Sequence, residues 1–71
     1  MHMRIWKIDV PGAYGYSFAI IGDISNEVEA IEMACNAGHF YDDIDAEYAT
    51  AEEITDSPYD IKAFENTTYE V

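Results

Sequence analysis

RIWKIDVPGAYGYSFAII, residues 4–21, decides the fold. Trp6, Ile8 and Val10 alternate with Lys7 and Asp9, so Arg4 to Val10 reads as a strand with one apolar face. Pro11-Gly12-Ala13-Tyr14-Gly15 reads as a turn, because proline presets one backbone angle and glycine tolerates the unusual ones. Tyr16 to Ile21 is aromatic and β-branched, as a second strand should be. Two such runs across so short a turn predict an antiparallel hairpin.

The chain then changes period. Gly22-Asp23 ends the strand, and Ser25 or Asn26 offers a helix cap, with Glu29 completing a capping box from Asn26. The helix is expected to run to about Ala37 and stop at Gly38. Ile24, Val28, Ile31 and Cys35, with Ala34 beside them, form the expected buried stripe. Glu29, Glu32 and Asn36 fall opposite it. Ile44 to about Glu52 reads as a third strand, with Ile44, Ala46 and Tyr48 inward and Asp43, Asp45 and Glu47 outward. Ser57-Pro58 should start a short helix through about Phe64, facing Ile61 and Phe64 inward. Thr67 to Val71 is extended and could add an edge strand. The expected fold class is α+β: a small antiparallel sheet in the order β-β-α-β, one main helix on one face, and a short C-terminal helix.

Residues 1–71 are expected to make one domain, whose core must be small. With 49% apolar and 14% aromatic residues the chain is too hydrophobic for a disordered acidic tail. No apolar run approaches the roughly 18 residues of a membrane span. Cys35 is the lone cysteine, which suits a reducing cytoplasm, and no secretion signal is read at the start. Met1-His2 reads as a cloning remnant before a start at Met3, so His2 carries no weight.

Charge is the feature that speaks to function. The formal net charge is −12, and from Ile8 to Ile61 there is no lysine or arginine. Arg4, Lys7 and Lys62 all lie outside that stretch. Such a surface repels nucleic acid and attracts basic partners. Solubility alone would be served by a mixed surface. The expected partner-binding residues are Asp42, Asp43, Asp45, Glu47, Glu52, Glu53, Asp56 and Asp60, with Tyr41 and Tyr59 beside them. On a strand, Asp43, Asp45 and Glu47 would stand roughly 6.6 Å apart and could imitate a row of phosphates.

Catalytic and cofactor chemistry find no support in the motifs. Asp43-x-Asp45-x-Glu47 lacks the glycine and closing glutamate of a calcium loop, since Tyr48 and Ile54 occupy those places. Gly12-x-x-Gly15 lacks the lysine and following helix of a phosphate loop. His39 stands without a partner at any informative spacing. The expectation is a protein without enzymatic activity, metal or cofactor.

Six tyrosines exceed what a small core needs, and several adjoin acids, as in Tyr41-Asp42, Glu47-Tyr48 and Tyr59-Asp60. In size, charge and tyrosine–acid pairing the chain resembles the small acidic proteins that phages and mobile elements encode against host defence, the anti-CRISPR and anti-restriction DNA mimics. That resemblance implies an inhibitor occupying the nucleic-acid-binding surface of a basic protein. The alternative is a small accessory interaction domain whose charge mainly serves solubility.

Overall fold

The computed structural model describes residues 3–65 and 67–71; Met1 and His2, read from the sequence as a cloning remnant, lie outside them. Strand β1 spans Arg4–Val10 and β2 spans Tyr16–Gly22. They pair antiparallel, with Trp6 opposite Ile20, Ile8 opposite Phe18 and Val10 opposite Tyr16. These six side chains share one face, so the hairpin presents an aromatic and aliphatic surface for the helix. The turn is close-fitting at Gly15, whose backbone N–H donates to the Gly12 carbonyl at 3.0 Å. A Cβ there would stand 2.6 Å from the Val10 carbonyl oxygen, a distance no real Cβ tolerates.

Helix α1, Glu27–Asn36, starts at the expected Asn26 cap. The Asn26 side chain accepts from the Glu29 N–H at 2.9 Å, satisfying one of the orphan donors of the first turn. Gly38 ends it at φ 78°, in the left-handed region, while the His39 N–H reaches back to the Ala34 carbonyl at 3.1 Å. The stripe pressed on the sheet differs from the expected one. Ala30 and Ala34 are fully buried in the cluster with Trp6, Ile8, Phe18 and Ile20. Alanine lets the helix approach the aromatic sheet face closely. Val28 is rotated outward and remains 72% exposed, and Ile31 and Cys35 are only half-buried.

Residues 44–52 depart most from the sequence reading. The expected third strand divides into a 3-10 helix, Asp43–Glu47, and a short strand β3, Thr50–Glu53. Asp42 explains the start: its carboxylate accepts from the Ile44 N–H at 3.2 Å, a local side-chain bond that competes with strand pairing. Consequently Ile44 and Tyr48 do not face the core. They are 52% and 61% exposed, and only Ala46 packs against the cluster.

Helix α2, Pro58–Ala63, follows with Pro58 in its first turn and Ile61 and Phe64 half-buried. Strand β4, Thr68–Glu70, then completes a four-stranded sheet in the order β3-β1-β2-β4. The fold is α+β, but the sheet is mixed: β3 and β2 run antiparallel to β1, and β4 runs parallel to β2. The returning segment from β3 to β4 must therefore cross the sheet. Ala19, whose side chain alternates away from the face that α1 covers, is fully buried, and the Thr68 hydroxyl, which by register shares its side, donates to the Phe64 carbonyl at 2.6 Å. No helix among the described residues is long and apolar enough to cross a membrane.

Candidate acidic face and apolar groove

Two of the three cations are spent locally. Arg4 pairs with Glu53 at 3.5 Å, and Lys7 lies 3.5 Å from Glu52 and 3.8 Å from Asp9. The register makes this inevitable, because Lys7 stands directly opposite Glu52 across β1 and β3. Such exposed pairs contribute about 0–1 kcal/mol each. Their larger effect is on the distribution of charge: they neutralise the β1–β3 side. Glu27, Glu29 and Glu32 on α1, and Asp42, Asp43, Asp45 and Glu47 on and beside the 3-10 helix, have no salt bridge among the described residues. These seven are the densest group of acids without a salt bridge, on two elements that pack against each other; Asp23, Asp56, Asp60, Glu65 and Glu70 are likewise unpaired among the described residues but lie apart in the chain.

The expected residues do not form one row. A 3-10 helix turns about 120° per residue, so Asp43, Asp45 and Glu47 point in different directions rather than along a line. The phosphate-like spacing derived from a strand does not exist. Asp45 turns inward and accepts from the Tyr16 hydroxyl at 2.6 Å, while Asp42 caps the 3-10 helix. Glu52 and Glu53 are paired on β3, and Glu53 also accepts from the Thr55 hydroxyl at 3.3 Å. Asp60 is half-buried in α2 and accepts from the Ser57 hydroxyl at 3.1 Å, with exposed Asp56 in the turn before it. Asp43 and Glu47 remain exposed near one another in sequence, with no such bond. Tyr59 is exposed on α2, remote in the chain from the 3-10 helix.

Tyr41 is 85% exposed but not free: its ring stacks on Tyr16 with centroids 4.2 Å apart. The Tyr41 backbone N–H also donates to the Tyr16 hydroxyl at 2.9 Å. Beside this pair His39 stacks on Tyr69 at 4.4 Å, and Phe18 packs edge-on to Tyr69 and Phe40. These aromatics fasten the loop after α1, and the last strand, to the end of β2.

The structure also holds a feature the residue pattern did not disclose. A groove of about 440 Å3 lies between α1 and the segment leading to β3, lined by Val28, Ile31, Cys35, Ala46 and Ala49, with Glu32, Asn36 and Glu47 around it. A signal for it was present. Apolar residues occupy positions 28, 30, 31, 33, 34 and 35, an arc too wide for one sheet-facing stripe. Once Ala30 and Ala34 face the sheet, Val28, Ile31 and Cys35 must border something else. Among the described residues no group of three or more histidine, cysteine or acidic side chains is arranged to hold a metal ion. No family model matches the chain, and neither the curated proteins nor the solved structures compared with it provide a match.

Unpaired acids this close repel one another, so salt should stabilise the isolated domain. Raising sodium chloride from about 0.01 to about 1 M shrinks the screening length from about 30 to about 3 Å. The melting temperature is expected to climb over that range. A flat or falling trend would show that the α1 and 3-10 carboxylates do not strain the fold.

Proposed function

We propose that this chain is a non-enzymatic binding protein that occupies a basic surface of a partner protein, most directly a nucleic-acid-binding surface. The observation that supports this reading is the segregation of charge. Two of the three cations neutralise β3 and Asp9, leaving α1 and the 3-10 helix with seven acids and no basic partner among the described residues. A field of one sign over one side steers a basic protein into a defined approach, and it disfavours direct binding of nucleic acid. The surface proposed is the α1 and 3-10 side. Glu52 and Glu53, which pair with cations, and Asp56, Tyr59 and Asp60, which lie on or just before α2, are no longer part of it.

The test is competition. The partner is identified by cross-linked capture, and its complex with labelled nucleic acid is titrated with this chain at two salt concentrations. Displacement that weakens as salt rises is the expected result. A complex holding partner, nucleic acid and this chain together would rule the blocking role out and favour an accessory domain.

A further inference from the structure

The groove between α1 and the 3-10 helix is a docking site, and we propose that its occupant is a basic amphipathic α-helix of the partner protein. This rests on the reading that the partner is basic, and goes further by naming the recognition element.

Three observations select a helix with that chemistry. First, Val28, Ile31 and Cys35 form one apolar wall at helical spacing, and Ala46 and Ala49 form a low opposite wall. From Val28 to Asn36 the wall spans about 12 Å, room for about two turns of an incoming helix. Second, the lining comes from a helix and a turn, not from a strand edge, so an extended peptide would find no ladder of backbone partners there. A helix satisfies its own backbone and needs only apolar side chains at matched spacing. Third, the flanking acids lie on both walls. Glu32 stands on α1 and Glu47 on the 3-10 helix, and neither has a salt bridge among the described residues. The complement is an apolar ridge with lysine or arginine on either side. A second copy of this chain is disfavoured by the same charges, since its own acidic borders would meet these.

The experiment uses three synthetic peptides of about four helical turns. One carries a leucine stripe flanked by lysines. A second has the same composition scrambled, so that no stripe forms. The third keeps the stripe but has glutamate flanks. Affinity is read by fluorescence anisotropy, and the contacted surface by methyl NMR. The striped lysine peptide should bind about tenfold or more tighter than the scrambled one, since seating one aliphatic anchor is worth about that factor. The glutamate peptide should not bind. Shifts should concentrate on Val28, Ile31, Ala46 and Ala49. Val28→Gln, a change at an exposed position that leaves the core untouched, should cut the striped peptide's affinity about tenfold without altering the circular dichroism spectrum.

Equal binding of the striped and scrambled lysine peptides would overturn the groove while leaving the acidic-face reading standing. Failure of both lysine peptides to bind at low salt would overturn the two together. Sedimentation as a dimer that Val28→Gln dissociates would assign the groove to a second copy and overturn the proposal.

Discussion

Replacing Ile8 with alanine is expected to leave much of the population unfolded at room temperature. Ile8 is completely inaccessible, on the inner strand β1, between Phe18 of β2 and Ala51 of β3. Cutting an isoleucine to alanine in such a place costs about 2–5 kcal/mol, part lost transfer energy and part cavity. A core of this size rarely supplies more than about 3–5 kcal/mol in all. The loss is thus comparable with the whole stability. Urea unfolding followed by the fluorescence of Trp6, the lone tryptophan and a neighbour on the same face, measures it directly. Ile44→Ala is the control: its side chain is exposed, and the expected change is within about 0.5 kcal/mol. Similar midpoints for the two variants would contradict the assignment of Ile8 to the core.

The second large effect belongs to Tyr16→Phe. One hydroxyl serves two partners, donating to Asp45 at 2.6 Å and accepting from the Tyr41 N–H at 2.9 Å. It ties the end of the hairpin to the loop after α1 and to the 3-10 helix. Removing it is expected to cost about 1–3 kcal/mol, because one of the bonds is to a charged group. The phenol also gives the loss a pH signature. Burial first, and then the bond to the Asp45 carboxylate, hold its pKa above the ordinary value. The folded state therefore favours the protonated phenol. The resulting stability is fully present below about pH 10 and disappears as pH rises through the higher folded value. The melting-temperature gap between parent and Tyr16→Phe should accordingly be constant near neutrality and close in alkali. A gap that persists at high pH would mean that the hydroxyl's proton is not what holds these elements together.

The parts of the fold legible in the sequence were those governed by neighbours in the chain. Alternation in Arg4–Val10, the glycines of the turn, the Asn26 cap, the Gly38 stop and Pro58 each act within a few residues, and each element formed where these signals lie. Asp42 is also a local signal, but it was hidden by the accidental alternation of Asp43 to Tyr48. The cap bond to Ile44 prevailed over that alternation, and the expected acidic row went with it. The parallel direction of β4 was not legible, since it depends on the chain after β3 crossing to the far edge of the sheet and not on β4's own three residues. The groove was illegible for a related reason. It required knowing that alanines, and not the larger Val28, would take the place against the sheet.

The order of the strands also governs self-assembly. Any open strand can recruit a like strand from another molecule, and long flat apolar edges do so readily. Here β1 and β2, the seven-residue apolar strands, are both interior, and the outermost positions fall to β3 and β4. These have four and three residues, ending in Glu52-Glu53 and Glu70 respectively. Each border is too short to template a long ladder. The strand order thus keeps the two long apolar strands out of reach of other copies.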